Sequence, residues 1–197
     1  AKARGVAPAL VDRLELNEAR ILSMVESCEK VASFEDPVGR IEYTDILENG
    51  LKISKVSVPI GTIGMIYESR PNVTLDASIL CIKSGNSVVL RGGTDAYNSN
   101  VAVIGCVKKA LEFSGAPSSC VEYLAQKDRE SIGILMNMKE YITLLIPRGG
   151  ADLIGYVKDN SSVPVLETGV GNCHIFVDSS ADQLKSIDVI MNAKTQR

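Results

Sequence analysis

Three short stretches of this sequence combine arginine with glycine or small polar residues: Glu68-Ser69-Arg70-Pro71-Asn72, Arg91-Gly92-Gly93-Thr94 and Pro147-Arg148-Gly149-Gly150. Each follows an apolar run of strand length, so unpaired backbone amides at the start of the next helix would join the guanidinium in meeting an anion. In the first, Arg70, Ser69 and Asn72 offer a charge, a hydroxyl and an amide. The competing reading has Asn72 capping a helix while Arg70 pairs with Glu68. In the other two, paired glycines let a phosphate or ribose approach the main chain closely, or else form a plain βα turn. Two Arg-Gly-Gly loops at equivalent strand ends favour one shared anionic ligand. Glu167, just after the run Val163 to Leu166 and before a Gly-rich loop, is the carboxylate placed like a general base, with a merely solvated side chain as the alternative.

Other chemistry is sparse. No G-x-G-x-x-G opens a helix and no G-x-x-x-x-G-K-[ST] occurs, so neither a standard dinucleotide fingerprint nor a P-loop is present. Gly169-Val170-Gly171 leads into an expected strand, which is the wrong context. Cys173 and His174 are neighbours, and strand neighbours point to opposite faces, which argues against a thiolate–imidazole pair. The five cysteines are odd in number and lack C-x-x-C spacing, against a disulfide framework or a zinc site. They read as reduced thiols, mostly buried, and no metal is expected.

A frame must position these loops. With 197 residues, 45% hydrophobic and 23% charged, the chain is long enough to bury roughly 70% of its unfolded surface. No run reaches the roughly 18 to 20 apolar residues of a membrane span, and the first thirty residues lack a signal peptide's apolar centre, so the expected setting is the cytosol, away from membranes. A net charge of −3 without basic blocks gives no footprint for nucleic acid. Few aromatics leave an aliphatic core, as in parallel sheets covered on both faces by helices. Strands are expected at Thr62 to Tyr67, Ser87 to Arg91, Cys120 to Leu124, Ile142 to Ile146, Val163 to Leu166 and Cys173 to Val177. Helices are expected after Asn17, ending before Pro37, at Val73 to Ser84, over 98–114 and at Ala181 to Asn192. Strand and helix alternate, which predicts an α/β fold with a mostly parallel sheet. Asn49-Gly50, between two alternating stretches over 41–58, predicts a β-hairpin with a type I′ turn.

The strings Pro59 to Thr74 (PIGTIGMIYESRPNVT), Lys83 to Gly93 (KSGNSVVLRGG), Ile146 to Gly150 (IPRGG) and Asn192 to Arg197 (NAKTQR) resemble γ-glutamyl phosphate reductase, the glutamate-5-semialdehyde dehydrogenase of proline biosynthesis, within the aldehyde dehydrogenase superfamily. The resemblance runs over essentially the whole chain. It implies a modified Rossmann cofactor domain that binds a dinucleotide without the usual glycine fingerprint, which accounts for the missing motif. It implies a cofactor-binding domain over 1–165, with the hairpin as an arm, and the start of a catalytic domain over 166–197. It further implies an NADPH-dependent reduction of L-glutamyl 5-phosphate to L-glutamate 5-semialdehyde through a cysteine thioester, with that cysteine beyond Arg197. By the same resemblance Arg91 lies at the adenosine ribose and Gly149-Gly150 at the helix start near the pyrophosphate, with Ser69, Gly92, Gly93, Thr94, Arg148 and Gly169 also binding the cofactor. Related NAD enzymes tend to place a Glu on the ribose hydroxyls where this chain has Thr94, so NADPH is expected. Asn72 or Arg70 would stabilise an oxyanion or hold a substrate anion. Glu167 aligns with the superfamily's general base, although a reduction has no water to activate. A homo-oligomer and coupling to a glutamate 5-kinase complete what the resemblance implies. An autonomous dinucleotide-binding or assembly module without catalysis is the alternative.

Overall fold

The computed structural model describes residues 8–126, 128, 130–167, 169 and 173–195. The elements run α1 (Pro8–Leu14), α2 (Glu18–Ala32), β1 (Ile41–Ile46), β2 (Lys52–Val56), β3 (Thr62–Tyr67), α3 (Pro71–Lys83), β4 (Ser87–Arg91), α4 (Tyr97–Phe113), β5 (Val121–Tyr123), α5 (Glu130–Asn137), β6 (Leu144–Arg148), α6 (Ala151–Asn160) and α7 (Gln183–Thr195). Four parallel strands form the main sheet in the order β5-β4-β3-β6.

Side-chain alternation along β3 splits the core in two. Ile63 and Tyr67 join Val88 and Leu90 of β4 and the apolar stripes of α3 and α4, whereas Ile66 joins Leu135, Met136, Leu145 and Val157 beneath α5 and α6. Helices therefore cover both faces, and each such aliphatic side chain gains about 1.5–3 kcal/mol from burial. Gly64 lets β3 and β6 sit close together, because a Cβ there would lie 2.4 Å from Leu145 Cδ2.

Local chemistry sets the helix ends. Asn17 caps α2 by accepting from the Arg20 amide at 3.0 Å. Pro71 occupies the first turn of α3, where its missing N–H costs nothing, so α3 starts two residues earlier than the apolar pattern indicates. Gly85 and Gly115 follow α3 and α4 with φ of 71° and 76°.

Several expectations are corrected. The hairpin forms, but the turn is not type I′: every described non-glycine residue has negative φ, so within the turn Gly50 alone is left-handed, at φ 84°. Gly50 N donates to Leu47 O and Leu47 N to Leu51 O, giving a type I turn closed by a glycine bulge. Val163 to Leu166 does not form a strand beyond the single bridge Leu145–Val165. The next ladder positions on either side would require N–H donors from Pro147 and Pro164, which have none. Cys173 to Val177 is not a strand either. No described strand pairs with it, and Ile175, Phe176 and Val177 are exposed. The cysteines are not mostly buried: Cys81 is, Cys28 and Cys120 are half-buried, and Cys106 and Cys173 are exposed.

Candidate functional site

The sheet order places β4 and β5 on one side of β3 and β6 on the other, so chain connectivity reverses between β3 and β6. In open α/β sheets the crevice at the carboxyl ends of such a pair is where ligands bind. The loops leaving β3, β4 and β6 meet there. Glu68 N donates to Arg148 O at 3.1 Å, and Gly150 N donates to Glu68 Oε1 at 3.0 Å. The Glu68 carboxylate thus caps the start of α6, where the helix dipole favours negative charge. A Cβ on Gly149 would lie 2.6 Å from the Glu68 carboxyl carbon, so only glycine permits this contact. On the other side, a Cβ on Gly93 would lie 2.9 Å from Ser69 Oγ, which brings the β3 and β4 loops into contact.

Beneath the β4 loop runs a buried polar chain. Thr74 Oγ1 donates to Asn100 Oδ1 at 3.0 Å, Asn100 Nδ2 donates to Tyr123 Oη at 3.2 Å, and Tyr67 Oη lies 2.6 Å from Thr74 Oγ1. Because the Thr74 proton is committed to Asn100, Tyr67 must donate to Thr74, and the chain has one direction. Burial pushes the Tyr67 phenol well above its ordinary pKa, which keeps it a neutral donor. The backbone of Gly92 rests on this chain: a Cβ there would lie 2.2 Å from Asn100 Nδ2. A sequence cannot show this network, since its members are brought together by folding, yet the Gly92 requirement follows from it.

The residues expected to act are distributed as follows. Ser69, Gly92, Gly93, Arg148, Gly149 and Gly150 converge on the crevice, with Thr94 exposed at its rim, opening a 3-10 turn. Arg91 is buried, its guanidinium turned towards the carbonyls of Gly92 and, at 3.3 Å, Asp128. Arg70 supplies the backbone N-cap of α3 and is exposed. Glu68 bonds to Gly150, which sets aside the expected alternative of a Glu68–Arg70 pair. Asn72 does not cap α3 either; it lies within the first turn and donates from Nδ2 to Asp76 Oδ2 at 3.2 Å. Asp76 faces the Arg148 charge, and burial raises its pKa despite the lowering effects of Asn72 and Arg148. Glu167 is exposed and held by Lys158 of α6 at 2.5 Å, an ion pair that raises the lysine's pKa, and it makes no hydrogen bond to the crevice loops. Gly169 is exposed, with open space where a Cβ would be. Gly171, Gln196 and Arg197 of the sequence motifs lie outside the described residues. Among the described residues no cluster of three or more His, Cys, Asp or Glu side chains could hold a metal ion, and no helix is long and apolar enough to cross a membrane.

No family model matches the chain. Among curated proteins it is 54% identical over all 197 residues to a γ-glutamyl phosphate reductase of Thermotoga sp. strain RQ2, covering 48% of that protein. The crystal structure of the Thermotoga maritima γ-glutamyl phosphate reductase matches all of this chain and 48% of its own, at 54% identity and a TM-score of 0.89. The Saccharomyces cerevisiae counterpart matches 99% of this chain and 50% of its own, at 33% identity and a TM-score of 0.77. A propionaldehyde dehydrogenase of Rhodopseudomonas palustris shares the fold at 21% identity and a TM-score of 0.69, over 93% of this chain and 45% of its own. The chain spans about half the length of the curated relatives it matches. With an aldehyde dehydrogenase-like α/β sheet and 54% identity over all 197 residues, the chain is thus similar to about half the length of the γ-glutamyl phosphate reductases that it matches.

Proposed function

We propose that this chain is the cofactor-binding segment of an enzyme that reduces L-glutamyl 5-phosphate to L-glutamate 5-semialdehyde with NADPH, releasing phosphate in proline biosynthesis. The observation that carries this reading is the match at 54% identity over all 197 residues of this chain, together with three loops converging at the sheet's switch point. In this reading 1–165 forms the cofactor domain and 166–197 begins the catalytic domain, whose thioester-forming cysteine is expected outside the segment.

The loop chemistry suits a dinucleotide with one adjustment. Gly92 and Gly93 keep the β4 loop low, leaving its rim open for the adenosine, and Thr94 places no acidic side chain against a 2′-phosphate. Arg91, under that loop, supplies a positive charge. Arg148 and the Gly149–Gly150 amides face the pyrophosphate position, but the Gly150 N–H is bonded to Glu68, so a phosphate oxygen must displace that carboxylate. When bound, the dinucleotide supplies the hydride. This chain orients it through Ser69 and the glycine loops and sets Arg70 and Asn72 beside the substrate. Glu167, ion-paired with Lys158, has no assigned step, and Gly169 is a neighbour only by sequence. The exposed apolar hairpin fits a homo-oligomer, and the five free thiols fit the cytosol. Coupling to a glutamate 5-kinase belongs to the same reading.

The test is NADPH consumption with enzymatically generated glutamyl phosphate. The whole protein carrying this segment should turn over, and the 197-residue chain alone should not. Turnover by the chain alone would show that the reacting group lies within it, and NADPH binding without turnover by the whole protein would favour a binding module.

A further inference from the structure

We propose that Asp76 determines substrate specificity by receiving the α-ammonium group of an α-amino-acid substrate, with Arg70 receiving its α-carboxylate. The inference rests on the reductase reading above and assigns the recognition of the end of the substrate remote from the acyl phosphate.

Two adjoining clefts, of about 660 and 440 Å³, flank the first turns of α3 where it faces α2, and both are lined by Ser27, Arg70, Asn72 and Asp76. The second also reaches Arg148, at the carboxyl end of β6. Their shared wall follows from helix periodicity. Pro71, Val73, Thr74, Ala77, Ser78 and Cys81 turn α3 towards the sheet, which leaves positions 72 and 76, one turn apart, on the outer face. Asp76 is half-buried there, and burial is the largest influence on its carboxyl group. Among the described residues its only hydrogen bond is from Asn72 to Oδ2, which leaves Oδ1 without one. Arg148 lowers the pKa of this carboxyl group without forming an ion pair with it, and neutral asparagine would keep the Asn72 contact and avoid the burial cost, so packing alone does not require the charge. A cationic ligand group would satisfy it. Arg70, exposed at the same wall and without an ion pair among the described residues, adds the opposite charge at the N-cap of α3, six residues before Asp76. The first cleft is also lined by Asp12, Arg13, Glu15 and Arg20, of which Asp12 and Arg20 pair with each other, and the second by Lys30 and Arg148; within this mixed lining Asp76 is a half-buried carboxylate and Arg70 an exposed guanidinium, the two signs that a zwitterionic amino-acid head group requires. The clefts lie beside the crevice expected to hold the dinucleotide.

The whole protein is assayed in the oxidising direction, in which aldehyde, phosphate and NADP⁺ give acyl phosphate, NADPH and a proton. Two aldehydes are compared: L-glutamate 5-semialdehyde and 5-oxopentanoate, which has the same chain without the amino group. Asp76→Asn should reduce kcat/KM for the amino-acid aldehyde about 10- to 100-fold through KM, the size expected of one charge-assisted hydrogen bond. It should leave 5-oxopentanoate and the KM for NADP⁺ unchanged. L-Glutamate should compete with the aldehyde in the wild type and lose this effect in Asp76→Asn and Asp76→Ala, whereas glutarate should compete equally weakly with all three. Parallel losses on both aldehydes, or unchanged discrimination in both variants, would overturn the assignment while leaving the reductase reading in place. A wild type that oxidises neither aldehyde would remove the reductase reading and this inference with it.

Discussion

Asn100 is the sharpest test of the packing that sets the β4 loop. Its side chain is fully buried and joins Thr74, also fully buried, to Tyr123. Asn100→Ala leaves the Thr74 hydroxyl proton without an acceptor in a site that water does not reach, whereas the half-buried Tyr123 can turn towards solvent. An unsatisfied buried donor costs about 1–3 kcal/mol, and the void left by the amide adds to it, for a total of about 2–4 kcal/mol. In a chain of this size each kcal/mol shifts the melting temperature by roughly 2–4 °C, so a drop of about 5–15 °C is expected. Thermal unfolding followed by far-UV circular dichroism reads it, with exposed Asn98→Ala, on the same helix, staying within about 1 °C of the wild type. A second arm tests the geometry. Gly92→Ala pushes a Cβ to 2.2 Å from Asn100 Nδ2, so part of its cost should vanish in the Asn100→Ala background, where that atom is gone. The expected coupling is about 1–2 kcal/mol. A melting temperature within two degrees of wild type for Asn100→Ala, or the same Gly92→Ala cost in both backgrounds, would refute the reasoning.

Arg91→Ala in the whole protein should weaken NADPH binding by roughly one to two powers of ten and NADH binding far less. Equal losses would mean that its contacts with the Gly92 and Asp128 carbonyls only support the loop. With a thiol reagent near neutral pH, Cys106 and Cys173 should label first. Cys81, whose thiol burial pushes up to about 11, and Cys28, raised by burial and by Asp76, should lag. Any cysteine faster than in the unfolded chain would reveal an activated thiolate. Asp76 has a folded pKa above its ordinary 3.8, so its protonated form contributes stability that is full below that value and lost as pH rises through the folded pKa. Asp76→Asn keeps the neutral form, so its melting temperature should match the wild type near pH 3.5 and exceed it near pH 7. A less stable variant at pH 7 would show that the carboxylate supports the fold.

The frame was legible because its signals are local. Apolar runs marked β3, β4 and β6, and Gly85 and Gly115 marked the ends of α3 and α4. What escaped depends on partners distant in sequence or on a neighbour's chemistry. Val163 to Leu166 reads as a strand until Pro147 is set beside it. Asn49-Gly50 reads as a type I′ turn until Asn49 is seen to keep a negative φ. The three arginine-bearing loops lie at one end of the sheet, but Glu68, read as a possible partner for Arg70, instead ties the β3 loop to the start of α6 across 82 residues of sequence. Asp76 gave no signal at all, since one aspartate on the outer face of a helix is unremarkable until the cleft beside it is seen.

The two prolines that restrict the outer edge of the sheet also affect how the chain leaves it. A strand bound by a full ladder separates only if many hydrogen bonds break together, whereas Val165 is fastened by one bridge. Val163 stays packed in the core, whereas tilting the exposed Leu166 and Glu167 beyond the bridge breaks the Leu166 N to Leu145 O bond and the Lys158–Glu167 ion pair and leaves the four-stranded sheet intact. The same blunted edge is a poor template for strands of other chains, because Pro147 interrupts its row of donors. The junction between the sheet and the chain that follows is thus a compliant seam, resistant to unintended pairing and able to change angle at little cost.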